Sequence, residues 1–140
     1  MDILDTLRIS ASGMSAQRLR LQAVASNMAN ARTTQTAEGG PYKRQMPVFR
    51  AQPVDRFGSM VDRSMSRVEV IDIVDDDDPG AMVYDPGHPD ADELGYVQMP
   101  NVNVLEEMVD MMTTSRTYEA NASVIETTYD MARKALELSR

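Results

Sequence analysis

Four consecutive carboxylates, Asp75-Asp76-Asp77-Asp78, with Asp85, Asp90 and Asp92 close behind, form the densest group of side chains able to hold a hard cation. Their order argues against a calcium loop, because no alternating ligands are followed by a glycine and a distal glutamate. A solvated acidic turn ahead of Pro79-Gly80 is the simpler reading. The function that the acidic groups would otherwise suggest is a cation-responsive binding module carried on a helical hairpin. His88 is the one histidine and sits in Pro86-Gly87-His88-Pro89, the composition of a turn. With no cysteine there is no disulfide, thiolate metal site or thiol nucleophile, and one histidine excludes a multi-histidine centre. Gly39-Gly40 is too short to cradle a phosphate, and no Gly-x-Ser-x-Gly is present. Any two carboxylates could be drawn as an acid–base pair, so that pattern selects nothing. No catalytic residue, cofactor-binding residue or metal ligand is assigned.

The elements that would carry these groups follow from where the helix breakers fall. All seven prolines lie between Pro41 and Pro100, and six of the seven glycines lie between Gly39 and Gly95, leaving only Gly13 outside. Both ends of the 140-residue chain are therefore free to be helical and the middle is not. Charge divides along the same lines: residues 1–31 carry +3 − 2 = +1, residues 32–67 carry +7 − 3 = +4, residues 68–99 carry −10, and residues 100–140 carry +4 − 7 = −3. These blocks are either solvated faces or surfaces that meet each other, within the chain or between neighbouring copies. A net charge of −8 makes nucleic acid an unsuitable partner. No apolar run reaches the length of a membrane span, so direct membrane insertion is not expected, and Met1-Asp2-Ile3-Leu4-Asp5 lacks the basic and apolar parts of a cleaved signal peptide.

At 3-4 spacing the N-terminal segment reads Leu4, Leu7, Ala11, Met14, Arg18, Leu21, Ala25 and Met28, an apolar stripe broken once. Asp2 and Asp5 suit the start of a helix, and Asn30 suits its end through the left-handed conformation. The C-terminal segment reads Val104, Met108, Met111, Ser115, Tyr118, Ala122, Ile125, Tyr129, Ala132 and Leu136, broken only at Ser115. Asn103 and Glu106 have capping-box spacing, while Arg133, Lys134 and Arg140 suit the negative end of the dipole. The expected fold is mainly α with a small β insert: two long helices pair as an antiparallel, coiled-coil-like hairpin around a Pro/Gly-rich loop and a small sheet. Residues 1–31 and 100–140 would form one core, with 32–99 as the loop and β region. Two helices alone cannot cover both stripes together with Leu105, Val109, Met112, Val124 and Leu138, so the stripe residues are candidates for contacts between copies. Among the breakers, Arg67 to Val74 alternates with its phase slipping by one between Val70 and Ile71, a strand with a bulge. Ala81–Tyr84 and Tyr96–Met99 read as short strands, and residues 32–66 as an ordered loop or short strands.

Several stretches also carry a family resemblance. Ile9-Ser10-Ala11-Ser12-Gly13-Met14-Ser15-Ala16-Gln17-Arg18, then Asn27-Met28-Ala29-Asn30-Ala31, resembles the N-terminal motif of bacterial flagellar rod and hook proteins. Ser115-Arg116-Thr117-Tyr118-Glu119-Ala120-Asn121, preceded by Gly95-Tyr96-Val97 and Pro100-Asn101-Val102-Asn103, is similar to their C-terminal motif. Glu38-Gly39-Gly40-Pro41-Tyr42-Lys43-Arg44 and Val83-Tyr84-Asp85-Pro86-Gly87-His88-Pro89-Asp90-Ala91-Asp92 resemble the proximal-rod branch; the long run Asp75–Asp78 departs from it. The resemblance implies a non-enzymatic structural subunit, without cofactors, that assembles helically into the proximal rod, transmits torque and forms part of the export channel wall. The partners it implies are copies of itself, other rod proteins, the basal-body adapter and MS-ring proteins, and the flagellar type III export apparatus. The implied location is the periplasmic rod of the basal body, reached by export without a cleaved signal peptide.

Overall fold

Asn103 starts the longer helix in the way its spacing suggests. Its Oδ1 accepts the amide of Leu105 at 3.1 Å, and its Nδ2 donates to Glu106 Oε1 at 3.0 Å. The computed structural model describes residues 3–53 and 66–138. Expectations placed on Asp2, Arg140 and residues 54–65 fall outside the described residues. Helix α1 spans Ile3–Ala29 and helix α2 spans Val104–Leu138; none of the described helices is long and apolar enough to cross a membrane. Between them lie strands β1 (Gln45–Pro53), β2 (Ser66–Asp75), β3 (Met82–Tyr84) and β4 (Tyr96–Gln98).

Asn27 meets Glu107, Arg20 meets Asp110, and Gly13 faces Asn121. Partner numbers rise as α1 numbers fall, so the helices run antiparallel. Gly13 is a point of close approach: a Cβ there would lie 3.2 Å from Asn121 Nδ2. The stop at Asn30 is not left-handed, since no described non-glycine residue has positive φ. Instead Asn30 Nδ2 caps the Ser26 carbonyl at 2.9 Å, so the side chain supplies what the backbone conformation would otherwise have to. Arg133 and Lys134 fall short of the last turn of α2, which holds no basic residue among those described. Arg133 reaches Asp130 at 3.5 Å instead.

The sheet content is two separate antiparallel hairpins rather than one sheet. β1 pairs β2 from Gln45↔Asp75 to Pro53↔Ser66, with a shift between Val48↔Asp72 and Phe49↔Val70. Ile71 is the extra residue, which places the bulge where the sequence phase slips. β1 is a nine-residue strand, longer than the short strands that are one of the two readings of residues 32–66. β3 pairs β4 from Met82↔Gln98 to Tyr84↔Tyr96. The positive φ of Gly95 (82°) and the 2.9 Å that would separate an added Cβ from Tyr84 Cε2 leave no room for a side chain in that hairpin's return. Arg50 and Glu69 stand opposite one another on β1 and β2, 2.8 Å apart. The hydrogen bond from Arg50, then its charge, hold the Glu69 carboxyl below its ordinary 4.5. A depressed folded pKa means the contribution is complete above that ordinary value and is lost as pH falls through the folded one. Both side chains are solvated, so the effect on stability is small. NMR titration should put the Glu69 midpoint below that of an unperturbed glutamate; a midpoint at or above it contradicts the pairing.

Apolar burial is sparse. Ala16, Ala23, Val24 and Val97 are the buried hydrophobic residues among those described. Counting from Gly13 opposite Asn121, Ile3 lies level with position 131, so the end of α2 overhangs α1, and residues 133–138 are all exposed. Amide exchange of the isolated monomer is expected to be fast over this overhang and slow around Ala23–Asn27. Uniform strong protection to Leu138 at micromolar concentration would contradict that.

Candidate assembly surface and the polar latch behind it

Asn27 and Glu107 are 1% and 0% exposed, although both are polar. Burial of such groups costs several kcal/mol unless each is hydrogen-bonded, so their partners define a built feature. Asn27 Oδ1 accepts the Gln45 amide at 2.8 Å and the Tyr42 hydroxyl at 3.0 Å. Its Nδ2 donates to the Gln45 carbonyl at 3.0 Å and to Glu107 Oε2 at 3.1 Å, which uses the whole amide. Glu107 Oε1 accepts Arg44 Nε at 2.6 Å. The Arg44 amide donates to Asn101 Oδ1 at 2.8 Å, and Asn101 Nδ2 donates to the Asp76 carbonyl at 3.1 Å. One latch thus ties the end of α1, the start of α2, the entry of β1 and the exit of β2. A second tie, from the Val68 amide to Ser12 Oγ at 3.1 Å, holds β2 on α1.

The acidic run belongs to this architecture. Asp77 pairs with Lys43 at 2.5 Å, and Asp76 Oδ1 accepts the Asp78 amide. Its hydrogen bond from Lys43, then that charge, hold the Asp77 carboxyl below its ordinary value. Among the described residues no three carboxylate or histidine groups converge as a metal would require. The basic and acidic blocks therefore meet within the chain, through Lys43–Asp77 and Arg50–Glu69. His88 stands in its turn, with Nδ1 accepting the Asp90 amide at 3.1 Å.

The internal helix seam differs in phase from the apolar stripe. Gly13, Arg20 and Asn27 of α1 meet α2, and Ser10 and Val24 are buried at the same period; these lie one position before Met14, Leu21, Met28, Ala11 and Ala25. On α2 the buried line is Glu107, Thr114 and Thr128, with Asn121 against Gly13. Met111, Tyr118, Ile125 and Ala132 border this line and are half-buried. The 3-4 period holds, but small and polar residues fill the seam, because they let the helices approach closely. Hydrophobicity alone selects the neighbouring phase.

The stripe residues are consequently divided. Leu4, Ala11, Ala25, Val104, Met108, Tyr129 and Leu136 are exposed, while Leu7, Met14, Leu21, Met28 and Ala122 are half-buried. Ala11, Met14, Arg18, Tyr118 and Ile125 border an open groove of about 340 Å³ along the helix pair. On α2, Leu105, Val109 and Met112 form a further exposed stripe, with Val124, Met131 and Leu138 beyond it. Contiguous exposed apolar surface is uncommon on soluble monomers, which makes these residues the candidates for contacts between copies. Sequence reasoning named most of these residues but missed the latch. The signal available was a polar heptad: Glu107, Thr114, Asn121 and Thr128 recur every seven residues.

Comparison with known proteins places the chain in a family. A family model for flagella basal body rod protein matches residues 7–34, and one for the flagellar basal body rod FlgEFG protein C-terminal region matches residues 93–138. Relatives described as flagellar basal-body rod protein FlgC match the chain at full length. The one from Borreliella burgdorferi is 38% identical over 99% of this chain and 98% of its own. The one from Bacillus subtilis is 40% identical over the whole of both chains, and that from Aquifex aeolicus is 43% identical over 98% of this chain and 97% of its own.

Proposed function

Because the chain belongs to the FlgC family of flagellar basal-body rod proteins, and so is a structural subunit of that rod, we propose that its outward apolar stripes are the surfaces by which it assembles. The observation that carries this reading is the inversion of the helix pair: small and polar residues line the internal seam while Leu105, Val109, Met112 and Tyr129 remain exposed. Residues 1–31 and 100–140 form the core rod domain, and residues 32–99 stand outside it. In the assembled rod the core helices line an inner layer, because helices satisfy their backbone groups internally and present no sheet edge to the channel. Ten acidic groups in residues 68–99 would repel one another at small radius, which places that region further out. The partners are copies of the chain, other rod proteins and the adapter and MS-ring components at the rod base. The chain reaches the periplasmic part of the basal body through the flagellar type III apparatus, and the assembled rod transmits torque and walls the export channel.

A deletion strain complemented with an epitope-tagged chain tests this. Loss of rods and motility on deletion, with the tagged chain recovered in purified basal bodies, is the expected result. Normal rods in the deletion strain would overturn the reading.

A further inference from the structure

The β3–β4 hairpin has an unusual surface for so small an element. Met82, Val83, Tyr84, Leu94 and Tyr96 are all exposed, from 42% to 76%, and Tyr84 packs edge-on to Tyr96 at 5.2 Å. Its connecting loop adds Asp85, Asp90, Asp92 and Glu93, and among the described residues none of these four has a lysine or arginine partner. The hairpin is therefore an apolar and anionic knob. Thr34 donates to Asp90 at 2.7 Å, which fixes the knob beside the turn after α1, at the latch end of the long axis.

The complementary surface lies further along the same molecule. The groove between the helices is apolar through Ala11, Met14, Tyr118 and Ile125, and its cation is Arg18. Arg18 is exposed and has no ion-pair partner among the described residues; the same holds for Arg116, which the antiparallel register places level with Arg18. An apolar anionic knob and an apolar cationic groove on one chain, separated along its axis, cannot satisfy each other within one copy. They can do so between copies, and a contact between two different surfaces is heterologous, the type that propagates into an open helix.

We propose that the β3–β4 hairpin of one copy seats in the Ala11–Met14–Tyr118–Ile125 groove of the next, with its loop carboxylates against Arg18 and Arg116. The proposal rests on the rod-subunit reading and adds the partner, a second copy, and the polarity of the contact. The native chain has no cysteine, so an introduced pair reports a single contact. Met14→Cys with Leu94→Cys, expressed in the deletion strain and oxidised in purified basal bodies, is expected to yield a ladder of two, three and more linked copies. Neither single variant should give a ladder. Adding Arg18→Glu should lower the cross-linked yield about tenfold, and adding Glu93→Arg to that background should restore it. Rods that contain the double-cysteine chain but give no ladder, links only to other rod proteins, or a closed dimer with nothing larger would each overturn the contact. All three leave the rod-subunit reading intact, which fails separately if the wild-type chain is absent from the basal bodies. Yield unchanged by Arg18→Glu would overturn the electrostatic half of the proposal.

Discussion

Replacing Arg44 with methionine is expected to destabilise the monomer by about 3–5 kcal/mol, because it leaves the Glu107 carboxylate buried without its cation. Glu107 is fully buried and its two oxygens are held by Arg44 and Asn27. A loss of that size is a large part of the roughly 5–15 kcal/mol available to a small domain, and the four buried hydrophobic residues among those described provide little reserve. The midpoint of thermal unfolding should fall by more than about 10 °C. Combining Arg44→Met with Glu107→Leu should recover part of the loss, since the charge is then gone along with its partner, although Asn27 Nδ2 still lacks one acceptor. An unchanged midpoint in the single variant would mean that the latch does not hold the helices to the strands. Equal losses in the single and double variants would mean that the charge is not the source of the cost.

Tyr129→Asp is expected to do the reverse, sparing the monomer and abolishing the rod. Tyr129 is 62% exposed, so the isolated chain loses little and its stability should change by no more than about 0.5 kcal/mol. In a rod whose subunits cover the α2 stripe, the same carboxylate is buried without a partner at several kcal/mol per contact, repeated at every copy. A cost of about 3 kcal/mol at one contact already weakens it by more than a hundredfold. Sedimentation of the purified variant should match the wild type, and the strain carrying it should lack rods and motility. Full motility with normal basal bodies would remove Tyr129 from the assembly surface.

These two variants probe the two halves of the molecule that the sequence reveals unequally. Helix positions are legible because all the prolines and every glycine but Gly13 are confined to the middle, and the Asn103–Glu106 cap marks the start of α2. The bulge at Ile71 is legible because a strand has a period of two and a slip in its phase has one structural meaning. The phase of the helix pairing is not, because apolar stripes are normally turned inward and this chain turns Met108, Tyr129 and Val104 outward. The latch is hidden for a related reason. Asn27, Arg44, Asn101 and Glu107 lie far apart in sequence, and a buried charge is visible only once the elements that surround it are placed. The acidic run misleads by density: Asp77 is matched by Lys43 across the β1–β2 entry, a pairing that depends on strand register rather than on spacing.

A density map of the assembled rod, with side chains resolved, tests most directly the claim that the outward stripes are the assembly surface. The expected map has α1 and α2 in a coaxial inner layer, neighbouring subunits packed on Leu105, Val109, Met112 and Tyr129, and Asp75–Asp78 at larger radius. A map with those four side chains facing solvent, α2 on the outer wall, or Asp75–Asp78 lining the channel would contradict it.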